Sequence, residues 1–179
     1  MQQLRLFTGI SLPNYIALQI DSLRENIGGA RWTLPENLHI TLVFLGDVEK
    51  HAIDDLMHDL EDINMSSMDL QLKGVNTFGP GHDPKVLYTS VIDNEYLTDL
   101  YSLIIKKVRP YTQINKIKFN PHLTIARLKH VDTPALANFL IKHHDFKSRI
   151  FNAKEFHLYS SELRAEGAQY NIERSFELY

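Results

Sequence analysis

Apolar and polar residues repeat with two different periods along this chain, and the switches between them mark out its elements. Residues 4–10, Leu-Arg-Leu-Phe-Thr-Gly-Ile, read as a strand. Pro13 then opens a helical stretch with Ile16, Ile20, Leu23 and Ile27 on one side, stopped by Gly28-Gly29. From 38 to 45 the period returns to two. Leu38, Ile40, Leu42 and Phe44 share one face, His39, Thr41 and Val43 the other, and Gly46-Asp47 breaks the strand. Ile53, Leu56, Met57 and Leu60 predict a second helix within 48–63, and strands are expected at 68–78 and 86–92 around the loop Gly79-Pro80-Gly81-His82-Asp83-Pro84.

The second half repeats this order. Residues 94–108 predict a helix with Leu97, Leu100, Tyr101, Ile104 and Ile105 on its apolar side, ended by Pro110. A strand at 119–128 follows, then a helix opened by Asp132-Thr133-Pro134 and running to about 143, then strands near 149–159 and 169–178. No linker or low-complexity segment divides the chain. The pattern predicts an α+β fold over 1–179, one bilobal domain of two pseudo-symmetric lobes. Each lobe is expected to hold an antiparallel sheet with helices packed outside, the two central strands lining a cleft.

Those two strands carry one short motif twice: Leu38-His39-Ile40-Thr41-Leu42 and Pro121-His122-Leu123-Thr124-Ile125, with the histidines 83 residues apart in a chain of 179. Two apolar-flanked His-x-Thr copies arise by chance about once in several hundred such sequences. Side chains at i and i+2 of a strand share a face, so each copy presents an imidazole beside a hydroxyl. Two such strands facing one cleft supply two proton-transfer groups and two hydrogen-bond donors. In-line substitution at phosphorus needs a base and an acid on opposite sides of the phosphorus atom, with donors on the non-bridging oxygens. Imidazole suits both proton roles near neutral pH, and the scheme requires no metal and no cofactor.

Composition narrows the partners. With 44% hydrophobic residues the chain can build a core, and a formal net charge of −3 argues against a general nucleic-acid coat protein. Lys106, Lys107, Arg109, Lys116, Lys118, Arg127 and Lys129 cluster around the second motif, and the run reads equally as one positive cleft wall or as a solvated face. The absence of Cys excludes disulfides and thiol chemistry. With no signal-like or membrane-spanning segment either, a cytoplasmic monomer without membrane contact is the expectation. His51 and His58 beside Asp54, Asp55 and Asp59 read as a solvated helix face rather than a metal site. Trp32, Phe44, Phe78 and Tyr88 are candidates to stack on a base, with core packing the better reading for at least two.

With Phe44-Leu45-Gly46 after the first motif and Ala126-Arg127 after the second, the chain resembles the 2H phosphoesterase superfamily. It is most similar to the branch of RNA 2′,3′-cyclic phosphodiesterases, also called 2′-5′ RNA ligases. Arg5-Leu6-Phe7, Trp32, Phe78-Gly79, Leu158-Tyr159-Ser160-Ser161-Glu162, Gly167 and Tyr170 sit where that branch has similar residues. The resemblance implies hydrolysis of a 2′,3′-cyclic phosphate, on RNA 3′ ends or small ribonucleotides, to the 2′-phosphomonoester. It makes His39 the proton donor to O3′, His122 the acceptor from water, and Thr41 and Thr124 the phosphate holders. Arg127 would bind the substrate's base or phosphate. An odd offset of five from His122 points Arg127 away from the site in a regular strand, so that role requires the strand to end or bulge first; otherwise Arg127 is a surface charge. The alternatives are a 2H enzyme acting on linear 2′-5′ or other oligonucleotides or on cyclic nucleotide derivatives, and a protein that binds RNA ends or nucleotides without turnover.

Overall fold

The computed structural model describes residues 3–113, 118–164 and 167–179. Strand β1, Gln3–Ser11, leads into helix α1, Asn14–Asp21. The helix is shorter than its apolar spacing predicts. Ser22 turns its hydroxyl back onto the Gln19 carbonyl at 2.7 Å, a local bond that competes with helix continuation, while Leu23 and Ile27 still reach the core from irregular chain. A short strand that the pattern did not predict, β2 at Ala30–Trp32, precedes β3 at His39–Glu49 and α2 at Ile53–Glu61. β3 runs through Gly46, which takes a φ of 77°, so Gly46-Asp47 bends the strand instead of ending it.

The strand expected at 68–78 is two strands, β4 at Met68–Leu70 and β5 at Leu72–Phe78. The Leu72 N–H donates to the Ser148 hydroxyl at 2.9 Å at their junction, and β4 leaves the main sheet to pair elsewhere. β6, Val86–Val91, and α3, Glu95–Val108, follow. Then come β7 at His122–Leu128, α4 at Thr133–Lys142, β8 at Phe151–Ala153, β9 at Glu155–Arg164 and β10 at Gly167–Glu177. The predicted cap at Asp132 forms, accepting from the Ala135 N–H at 3.1 Å, and Asn94 caps α3 in the same way, accepting from the Leu97 N–H at 2.9 Å.

The antiparallel strands order as β10-β9-β1-β3-β7-β6-β5, with β2 added alongside β7, while β4 and β8 make a separate pair. The centre of this order is the β3–β7 junction, where the two motif strands meet at the pair Ile40 and Leu123. Each motif strand has its own outer neighbour, β1 for β3 and β6 for β7. Buried residues of all four helices, among them Ile16, Leu56, Leu100 and Phe139, pack with Leu6, Ile10, Ile40 and Leu123 in one apolar cluster. β2 reaches β7 because Gly29 turns tightly against it. Gly29 has a φ of 79°, and a Cβ there would come within 2.4 Å of the Lys129 carbonyl oxygen.

Candidate active site

Ile40 and Leu123 are both fully buried, and directly opposed residues of an antiparallel pair share a face. Their neighbours therefore stand on the other face of the sheet: His39 and Thr41 on β3, His122 and Thr124 on β7. Because the strands run in opposite directions, a local twofold axis through the Ile40–Leu123 pair relates the two motifs. Each imidazole is set toward the partner strand's threonine, and the two histidines occupy one diagonal. A group resting over the centre is thus approached by imidazoles from opposite sides, with a hydroxyl on each remaining corner. Among the described residues neither threonine hydroxyl has a protein partner.

The imidazoles are held alike. His39 Nδ1 lies 2.7 Å from the Asn37 carbonyl and His122 Nδ1 lies 2.8 Å from the Asn120 carbonyl. A carbonyl only accepts, so Nδ1 carries hydrogen in both rings and Nε2 is the nitrogen left to exchange a proton. The motif is thus longer than its reading as His-x-Thr. Asn stands two residues before His in both copies, and that wider repeat was the available signal.

Behind the rings the halves diverge. His39 lies against Phe7 at 4.8 Å, Tyr170 at 5.0 Å and Tyr159 at 5.7 Å between ring centroids. Gly9 makes room for it: a Cβ there would sit 2.9 Å from the Ile40 carbonyl oxygen and 3.6 Å from the His39 ring. His122 lies against Phe78 at 4.8 Å and Tyr88 at 5.4 Å, which stack on each other at 3.9 Å. Burial pushes His39 below the ordinary imidazole value against the upward pull of the Asn37 carbonyl, and the charges of Arg127 and His122 push it down further. These surroundings therefore favour neutral His39.

Both motif strands bulge at the same step. Across from β1, β3 passes over Leu42 between Thr41 and Val43; across from β6, β7 passes over Ile125 between Thr124 and Ala126. An extra residue reverses the alternation. Val43 is consequently buried while Phe44, expected on the core face, is 50% exposed. By the same shift Arg127 returns to the face of His122, as its odd offset required. The seven residues from each His follow one sequence of burial, and Phe44 and Arg127 hold equivalent places.

Phe44, Arg127, His39, Thr41 and Thr124 line a cleft of ≈ 940 Å³ whose further walls include Arg5, Arg31, Trp32, Glu36 and Tyr170. Of the basic run around the second motif only Arg127 lines this cleft; Lys107 is on α3, held by Asp62 at 2.8 Å, and Lys116 lies outside the described residues. Arg5 and Arg31, from outside that run, supply the other cations. Tyr88 is buried and stacked on Phe78, the Trp32 indole N–H donates to the Glu25 carbonyl at 3.1 Å, and Phe44 is half-exposed with the Arg5 guanidinium over its ring at 5.0 Å. Among the described residues no three His, Cys, Asp or Glu side chains gather as metal ligands, and His58 faces Glu61 at 3.7 Å. Among them, too, no helix is long and apolar enough to cross a membrane.

Residues 12–164 match the model of the 2′-5′ RNA ligase superfamily. The RNA 2′,3′-cyclic phosphodiesterase of Methanocaldococcus jannaschii is 28% identical over 172 residues, covering 94% of this chain and 98% of the relative. That of Thermotoga maritima is 29% identical over 175 residues, covering 94% and 92%. Among solved structures, LigT of E. coli complexed with 3′-AMP superposes at a TM-score of 0.80, with 22% identity and 99% of each chain covered. A protein of Thermus thermophilus superposes at 0.81, with 21% identity and 97% of each chain covered.

Proposed function

Since this chain belongs to the 2′-5′ RNA ligase superfamily, we propose that it hydrolyses a ribose 2′,3′-cyclic phosphate, on an RNA 3′ end or a small ribonucleotide, to the 2′-phosphomonoester. The observation that carries the reading is the diagonal pair of histidines, each bonded through Nδ1 to the carbonyl two residues before it and each beside a threonine across the strand junction. Thr41 and Thr124 donate to the non-bridging oxygens, which gain charge as the transition state forms. His122 Nε2 takes a proton from water as the water oxygen bonds to phosphorus. His39 Nε2 gives its proton to O3′ as the P–O3′ bond breaks. The cycle closes when His122 returns its proton to solvent and His39 regains one.

The downward push on His39 is compatible with a donor role, because a bound phosphate brings negative charge to the ring and reverses the electrostatic balance. Substrate binding and protonation of His39 are then coupled. Orientation decides the product. With O3′ on the His39 side, only the 2′-phosphate forms, and the nucleoside is held between the Phe44 ring and the Arg127 guanidinium at the two equivalent strand positions.

The test is incubation of the protein with a nucleoside 2′,3′-cyclic phosphate in the presence of chelator, with the phosphate isomer identified. Exclusive 2′-phosphate is expected, at a rate that chelator leaves unchanged. A 3′-phosphate product overturns the orientation, a strict divalent-ion requirement overturns the histidine scheme, and binding without turnover overturns the enzyme.

A further inference from the structure

His157 is a third histidine on the face of the sheet that carries the motifs, and the scheme above does not use it. Ser175 pairs with His157, His157 with Gly9 and Gly9 with Thr41, so the four lie in one row across β10, β9, β1 and β3. His157 is 2% exposed, with Nε2 bonded to the Ser11 hydroxyl at 3.0 Å and Nδ1 to the Ser175 hydroxyl at 2.9 Å. The Ser11 hydroxyl also bonds the Tyr159 hydroxyl. A hydroxyl donates once and accepts twice, so Ser11 can serve both rings at once.

The other half of the cleft explains the need for this network. Tyr88 pairs with Thr124 as Gly9 pairs with Thr41, and Ser90 pairs with His122 as Ser11 pairs with His39. On the β7 side the adjacent strand itself thus sets an aromatic ring, Tyr88, against the histidine at 5.4 Å. On the β3 side that position is Gly9, and the ring comes from one strand farther out: a Cβ on Gly9 would meet Tyr159 Cε2 at 3.5 Å and His39 Cδ2 at 3.6 Å. A ring that reaches across a strand needs its far end held. Tyr159 lies flat on Phe7, 4.8 Å between centroids and 10° between planes, with its hydroxyl on Ser11. Among the described residues one hydrogen bond holds the His39 ring, from Nδ1 to the Asn37 carbonyl, so its tilt about that bond is set by Phe7, Tyr159 and Tyr170. We propose that His157 is a positioning residue for His39: by tying Ser11 it holds Tyr159 over Gly9, and so fixes the tilt that aims His39 Nε2 at the leaving oxygen. The identity of that oxygen rests on the cyclic phosphodiesterase reading.

The experiment compares wild-type protein with His157→Ala, His157→Gln and Tyr159→Phe, by kinetics on a nucleoside 2′,3′-cyclic phosphate and by NMR titration of the His39 ring, after thermal melting confirms folding. Tyr159→Phe removes only the bonded hydroxyl and carries the test if the alanine variant fails to fold. Burial holds His157 below the ordinary imidazole value, with Glu155 at 3.8 Å pulling the other way, so near pH 7 its removal takes no charge from the neighbourhood. His157→Ala should lower kcat about tenfold through misplacement of the acid, with KM changed by less than about twofold. The His39 titration should move up toward the ordinary value as water enters behind the loosened ring. Tyr159→Phe should act in the same direction by less, and His157→Gln, which can still bond both serines, should restore most of kcat and the wild-type titration. Unchanged kcat and an unmoved His39 titration in His157→Ala and Tyr159→Phe overturn the positioning role. So does a loss that His157→Gln fails to restore, which would mean that packing rather than the serine bonds is at work, or a rise in KM at constant kcat. No turnover by the wild-type protein overturns the cyclic phosphodiesterase reading, while the His39 titration still decides whether His157 holds the ring.

Discussion

The β3 and β7 strands match in their His-x-Thr motifs and differ around them: His39 lines the cleft, whereas His122 is not among its described lining residues. Each offers His and Thr on one face, a carbonyl on Nδ1 and a bulge one residue past the threonine. Behind them, His39 leans on Phe7, Tyr159 and Tyr170 over Gly9, and His122 on the Phe78–Tyr88 stack. Beyond the bulge one half ends in Phe44 and the other in Arg127. Symmetry serves chemistry that needs two proton-transfer groups on opposite sides of one atom. On the proposed reading, the broken symmetry gives an unsymmetrical substrate one way to lie.

Removing either imidazole breaks the comparison most severely. His39→Ala and His122→Ala should each lower kcat by roughly 100- to 10,000-fold, and the double variant by much less than the product of the two, because the pair acts as a unit. Thr41→Ala and Thr124→Ala each remove a hydrogen bond to a charged oxygen, about 1.5–3 kcal/mol, and should cost about 10- to 100-fold. Steady-state kinetics with thermal melts of the four variants decides the matter. If one His variant keeps near-normal activity while its counterpart is dead, the halves are not a catalytic pair.

Exchanging the residues past the bulges sharpens the comparison. Arg127→Ala should raise KM by about tenfold with a smaller effect on kcat, if the guanidinium, as proposed, binds and does not react. Phe44→Ala should act in the same direction through lost stacking, about 1–3 kcal/mol per base. The double exchange Phe44→Arg with Arg127→Phe turns the asymmetric positions around the local twofold. It should yield a measurable share of 3′-phosphate by chromatography. Pure 2′-phosphate from that variant would show that orientation is set elsewhere.

The Phe44 and Arg127 positions also show where reading the sequence stopped. The paired motifs, their strands, the helix cap at Asp132 and the α+β order all follow from residue types at fixed spacing, and the structure bears them out. A bulge adds one residue without a composition of its own, so the face of everything beyond it was misassigned on β3 and left open on β7. The trace it leaves is a run of consecutive apolar residues, Leu42-Val43-Phe44-Leu45 and Ile125-Ala126, inside alternating strands. Arg31 escaped notice because its neighbour across β2 and β7 is set by chain folding at Gly29, nearly a hundred residues from Arg127 in sequence, and no local pattern encodes it.

Proton linkage probes the same asymmetry more gently. His39 is depressed by burial and by the charges of Arg127 and His122, and a bound anion would raise it again. Phosphate binding should then take up a proton, so affinity weakens as pH rises from the depressed free-site value through the raised bound one. Titration calorimetry in two buffers of different ionisation heat should show the uptake in wild-type protein and its loss in His39→Gln. Equal uptake in both would assign the proton to another group.

The smallest effect concerns stability, and it too falls on the β3 side. His157, buried behind Tyr159, lies 3.0 Å from the Ser11 hydroxyl and 2.9 Å from that of Ser175; burial pushes it below the ordinary value, with Glu155 pulling the other way. For His39 and His157 the folded chain holds its proton less tightly than the unfolded one. Their neutral forms therefore support the fold above about 6.5, and that support declines as pH falls from there toward the depressed folded values. The carboxylates of Glu25, Asp62 and Asp83 are also depressed, by Lys142, Lys107 and Lys85, but start from 4.5 and 3.8, so their contribution is lost only in a more acidic window. Melting temperature should decline between pH 7 and pH 5 before any carboxylate effect begins. His157→Gln, which can still bond both serines, should reduce that decline. An unchanged decline in the variant would place the acid sensitivity in the cleft itself, on His39.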